Sequence, residues 1–196
     1  MFSQTLVAVP GSRERLLEAF LQVWSDLELV EARGEFWTYR DVCQWCQPRS
    51  WYLGGDSAGD TKALYQDGRW AVLVDFSTQL ADDGDELGFL SEVFGQVAVA
   101  SVDGPRSATR FEVYERGYLR REILGERGRV ATRGMPLPLE ATLDMSRFYM
   151  AQLEHVWCSL GMRSFFEDPK GPFLGVHVVG RSEALGSGRK AWWKFW

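Results

Sequence analysis

The stretch KALYQDGRWAVLVDF, residues 62–76, decides the fold. Two short runs with aromatic and β-branched residues flank Asp67-Gly68, a dipeptide that supplies the positive φ angles of a type I′ turn, so the stretch predicts a β-hairpin. On its second arm Trp70, Val72, Val74 and Phe76 share one face.

Upstream of the hairpin, Phe2 to Val9 is short and apolar and ends at Pro10-Gly11, the pattern of a first strand and its turn. Ser12 is an N-cap for a helix that sets Leu16, Leu17, Phe20, Leu21, Val23, Trp24 and Leu27 on one side. Residues 38–46 suit a short helix behind Thr38, while Trp37, Tyr39 and Trp45 leave a strand or an aromatic loop open. Downstream, Asp82 to Gly95 predicts a helix with acids in its first turn, Leu87, Leu90 and Phe94 at helical spacing, and Gly95 as its terminator. Val97 to Val102 reads as a buried strand, and 108–124 as a hairpin around Glu115-Arg116-Gly117. A stretch with Gly134, Pro136 and Pro138 leads to a long helix from about Asp144 to Leu160, counted at about 100° per residue. Phe173 to Val179 is the last strand.

The order of hairpins and helices predicts an α+β fold, a largely antiparallel sheet of about five to seven strands with about three main helices packed on it. Residues 1–180 form one domain. Residues 181–196, ending in WWKFW, form a basic, Trp-rich segment expected to fold back on that body.

Composition limits the function classes. The chain has 196 residues, 45% hydrophobic and 25% charged, which excludes disordered and low-complexity classes. Its net charge is −5. Residues 181–196 carry Arg181, Arg189, Lys190 and Lys194 against Glu183, net +3, so the body 1–180 holds −8. An acidic body argues against a surface built to coat nucleic acid or an anionic membrane. The 3 cysteines form no disulfide framework and point to a reducing compartment. With no leader pattern at the start and no long apolar run, the expected location is the cytoplasm.

Residues with chemistry are few. Cys43 with Cys46, and His155 with Cys158, stand at i, i+3, the short spacing in which chains present zinc ligands. Cys43 and Cys46 lack the Gly-rich setting of zinc knuckles, and on a helix from Asp144 both His155 and Cys158 fall opposite the apolar arc, so no metal site is expected. His155 and His177 are the only imidazoles, and no G-x-S-x-G elbow, phosphate loop or H-E-x-x-H is present. No cofactor is called for. The eight Arg and four Glu of residues 105–134 alternate as cross-strand ion pairs do on an exposed sheet face, which is preferred over an RNA surface.

The acids Asp82, Asp83, Asp85, Glu86 and Glu92 are the candidate binding residues. They suit a helix N-terminus, and as a patch they complement a basic protein. The expectation is a non-enzymatic protein-binding module, a small acidic cytoplasmic bacterial protein of the immunity type that binds and neutralises a basic toxin or effector. The alternatives are a small enzyme or ligand-binding domain with an aromatic-lined pocket, using His155 or paired carboxylates, and a zinc-stabilised domain.

Overall fold

A computed structural model describes residues 3–55, 59–165, 167–169 and 171–181. In chain order the elements are β1 (Ser3–Pro10), α1 (Arg13–Val23), β2 (Leu27–Phe36), α2 (Tyr39–Cys46), β3 (Asp60–Asp67), β4 (Trp70–Asp75), α3 (Gly84–Phe94), β5 (Gln96–Asp103), β6 (Ala108–Glu115), β7 (Tyr118–Glu126), β8 (Arg129–Gly134), α4 (Met150–Ser159) and β9 (Phe173–Gly180). The fold is α+β. The strands form one sheet in the order β2-β9-β3-β4-β1-β5-β6-β7-β8, and every neighbouring pair is antiparallel.

Strand alternation gives the sheet two buried faces. Val7, Val9, Leu73, Val97 and Val99 point to the layer of α1 and α3. Leu6, Ala8, Val72, Val74, Ala98 and Phe111 point to the layer of α2 and α4. β4 is buried at every residue, because it lies inside the sheet and is covered on both sides. Such a strand shows a continuous apolar run rather than alternation.

Caps place the helices. Ser12 Oγ accepts the Arg15 N–H (3.3 Å), and Thr38 Oγ1 accepts the Asp41 N–H (3.1 Å), which resolves residues 39–46 as helix. α2 lies against β9 at Gly175, where a Cβ would stand 2.6 Å from the Trp45 ring. Gly125 is needed for a similar reason. The Thr109 hydroxyl donates to the Phe148 carbonyl (2.6 Å), and a Cβ on Gly125 would lie 2.0 Å from that oxygen.

The sheet has nine strands, not five to seven, and the main helices number four among the described residues. β2 and β8, absent from the sequence reading, are the two edges. α2 is the added helix. α4 begins at Met150 rather than near Asp144, because the Asp144 carboxylate takes the Ser146 N–H (3.0 Å) and hydroxyl (2.6 Å) in a local turn. The 62–76 hairpin forms, but Asp67 pairs with Trp70, so the turn residues are Gly68 and Arg69. Only Gly68 has positive φ (59°), which excludes type I′ and fits a type II′ turn with glycine first. The type I′ signature belongs instead to Arg116-Gly117 (φ 50° and 87°) and to Arg127-Gly128 (φ 49° and 78°).

Candidate functional site

The acids singled out by sequence lie at the start and along the outside of α3, whose inner side buries Leu87 and Leu90 against the sheet. They do not act as one free patch. Asp83 Oδ2 accepts the Trp24 indole N–H at 2.8 Å, so it ties α3 to the end of α1. Burial raises the pKa of that carboxyl above its usual value, and the indole hydrogen bond partly offsets the rise. Asp82 is exposed and pairs with Arg110 (3.0 Å). Asp85 and Glu86 occupy the first turn, where the helix dipole favours them. Glu92 stands two turns on, beside the β6–β7 turn, where a Cβ on Gly117 would meet its carboxylate at 2.7 Å.

Between these acids lie two apolar side chains that the sequence reading missed. Phe89 and Val93 are 61% and 45% exposed and stand four apart, on one side of α3. Their signal was present in GDELGFLSEVF, where both fall outside the Leu87, Leu90 and Phe94 stripe. The β6–β7 turn abuts the helix at Gly88, and Tyr118, the residue that follows this turn, is exposed. A shallow depression of about 510 Å³ continues from there, lined by Gly95, Gln96, Glu115, Arg116, Tyr118 and Arg120. It is open, and none of these lining residues is a buried polar group that would orient a small substrate.

Two of the strongly perturbed ionisable groups, Lys62 and Glu112, lie inside the protein. Lys62 bridges Asp60 and Asp75 (2.6 Å to Asp75), where burial alone would lower its pKa and the two carboxylates more than reverse this, holding it charged. Asp75 also accepts from Ser77 Oγ (2.8 Å) and from the backbone N–H groups of Ser77 (3.3 Å) and Leu80 (3.4 Å). Glu112 is wholly buried on β6 and takes two hydrogen bonds from Arg110 (3.0 and 2.7 Å). These groups secure the loop after β4 and the layer under α3, and neither Lys62 nor Glu112 opens to solvent.

Ion pairs organise much of 105–134. Arg110 joins Glu112, Glu122 and Asp82, Arg120 meets Glu115 (3.2 Å), and the buried Arg121 binds Glu140. Glu140 belongs to a 3-10 turn, Pro138–Thr142, that this pair fastens onto β7.

Cys43 and Cys46 lie on α2, with Cys46 buried, and His155 is exposed on α4 beside the half-buried Cys158. Among the described residues no three His, Cys, Asp or Glu side chains converge as metal ligands. Burial raises the pKa of all three thiols, that of Cys46 to about 12, which makes them poor nucleophiles at neutral pH. His177 lies on β9, its imidazole against Gly59. The Trp-rich segment 192–196 and its expected return to the body lie outside the described residues. No described helix is long and apolar enough to cross a membrane. Compared with family models, curated proteins and solved structures, the chain matches none, so its functional assignment rests on its own geometry.

Proposed function

We propose that the chain is a non-enzymatic protein-binding module, a small cytoplasmic bacterial immunity-type protein that sets the outer face of α3 against a basic toxin or effector. The observation that carries this reading is the exposed pair Phe89 and Val93 on a helix flanked by Asp82, Asp85, Glu86 and Glu92. An aromatic anchor ringed by charge is the arrangement in which a few residues dominate binding energy while the surrounding charges set partner choice and association rate. A basic active cleft is the complement of this surface. The non-enzymatic reading draws support from the interior placement of Lys62 and Glu112, out of substrate reach.

The test is a pull-down from the native host followed by kinetics on the captured protein. One stoichiometric basic partner is expected. The variant Asp85→Lys/Glu86→Lys/Glu92→Lys is expected to slow association about tenfold or more at low salt. Phe89→Ala is expected to weaken affinity by about 30-fold, the size of an interface hot spot, with an unchanged circular dichroism spectrum. Asp83 is kept in both variants because it holds Trp24. Undiminished capture by the charge-reversed protein at low salt would remove this surface from the interaction.

A further inference from the structure

The opposite face of the sheet carries a cleft that docking through α3 does not use. It encloses about 340 Å³ between α2 and α4. Leu6, Val74 and Ala100, from the adjacent strands β1, β4 and β5, make an apolar floor. Aromatic rings wall it: Tyr65 and Tyr39 stand edge-on to Phe173, with centroids 5.2 and 6.2 Å away, and Phe165 closes the side near α4.

The polar groups gather at the rim. Tyr39 Oη donates to Gln4 Oε1 (3.2 Å), which fixes both side chains. Burial holds the Tyr39 and Tyr65 phenols well above their usual pKa, so both rings stay neutral and keep their electron-rich faces. Glu167 and Asp168 are exposed at the mouth. Asp168 is positioned there, since its Oδ1 accepts the Tyr39 N–H at 2.8 Å in the first turn of α2. No Lys, Arg or His lines the cleft among the described residues.

Two independent features favour positive charge here. Ring faces attract cations, and the two carboxylates add a negative potential with no cation among the described lining residues to cancel it. An anionic ligand would face both carboxylates. The volume is at the lower end of small-molecule sites, which suits one or two fused rings with a short arm. We propose that this cleft binds a small arylalkyl amine, its ring system on the Leu6, Val74 and Ala100 floor and its ammonium group at Glu167 and Asp168. The site is on the face away from α3 and stands independently of the docking surface.

Three indoles of matched shape and different charge test this: tryptamine (cationic), tryptophol (neutral) and indole-3-propionate (anionic), each titrated into the full-length chain and followed by amide NMR shifts. Tryptamine is expected to bind at least about tenfold more tightly than indole-3-propionate at low salt, with tryptophol between them. The shifts are expected at Tyr39, Ala100 and Asp168. Glu167→Gln/Asp168→Asn is expected to bring tryptamine to the level of tryptophol, and Ala100→Phe, which fills the floor, to abolish binding of both. Should Ala100→Phe fail to fold, Val102→Trp at the half-buried margin of the cleft takes its place. Phe89→Ala is expected to leave tryptamine binding unchanged, which separates this site from the α3 surface. Equal affinity for the three indoles, no binding of any, or shifts confined to residues away from the cleft would each overturn the proposal.

Discussion

Replacing Lys62 with methionine is expected to cost about 3–5 kcal/mol of unfolding free energy near pH 7, the usual penalty for removing one partner of a buried ionic cluster. Lys62 is 3% exposed and Asp75 is fully buried. Asp75 faces Lys62 directly across the β3–β4 pair and also carries the hydrogen bonds that shape the chain after β4. Without the ammonium group, Asp60 and Asp75 become two like charges in one buried site, and one of them must take up a proton or draw in water. Burial already pushes the Asp60 carboxyl above its ordinary pKa even with Lys62 present. In the variant the Asp60 carboxyl is therefore protonated more readily when folded than when unfolded. Such groups stabilise fully below their unfolded pKa and lose that contribution as pH rises through the folded one, so the deficit of Lys62→Met is expected to shrink in acid. Urea unfolding at neutral and acidic pH measures both effects. A deficit below about 1 kcal/mol at neutral pH, within the range of ordinary surface changes, or one that does not shrink in acid, would show that the cluster is not a buried ionic unit.

How much of this was legible in the sequence follows from how locally each feature is encoded. The 62–76 hairpin, α1 behind Ser12 and the start of α3 are specified by residues close in sequence, and all three form. β2 was not legible because it is an edge strand exposed along most of its length, LELVEARGEF, with register shifts near Val30 and between Arg33 and Phe36. Its charges and irregularities erase the alternation that marks a strand, and the same features discourage pairing with another chain. β8 is short and exposed along nearly its whole length, and only the turn Arg127-Gly128, a repeat of Arg116-Gly117, betrays it. The acids of α3 were visible as composition, but their separate fates were not. Asp83 meets Trp24 across 59 residues, and Asp82 meets Arg110 across 28. The cleft was still less visible, since its floor joins Leu6, Val74 and Ala100, which are neighbours only because β1 lies between β4 and β5. Antiparallel order fixes such neighbours through long-range pairing, which short-range periodicity does not encode.

Glu112 makes the folded protein a proton acceptor in the neutral range. Its carboxyl has no exposed surface, and burial raises its pKa to about 7 from 4.5. Arg110 opposes that shift with two hydrogen bonds, the paired Glu122 on β7 adds to it, and the Tyr114 hydroxyl donates to the second oxygen at 3.4 Å. Because the folded pKa lies above the unfolded one, the native state holds an extra proton between about pH 4.5 and 7. The contribution of Glu112 is then complete below that window, falls as pH rises through it, and is constant above. A shift of this size corresponds to about 3 kcal/mol at 1.36 kcal/mol per pH unit. Glu112→Gln keeps an acceptor for Arg110 and removes the titration, while Asp82 and Glu122 still balance the guanidinium charge. Relative to the natural chain, the variant is expected to gain about 3 kcal/mol between acid and pH 8 in urea unfolding. The difference between the two proteins matters more than either curve alone. His177 is held below its usual pKa chiefly by burial, so it makes stability rise with pH in much the same range, and subtraction cancels it. A pH-independent difference would show that Glu112 titrates alike folded and unfolded, and a difference that falls as pH rises would show that it stays ionised in the folded state. Arg110 would then be strong enough to outweigh burial, and the layer under α3 would be held by a permanent ion pair rather than by a carboxyl poised to take up a proton.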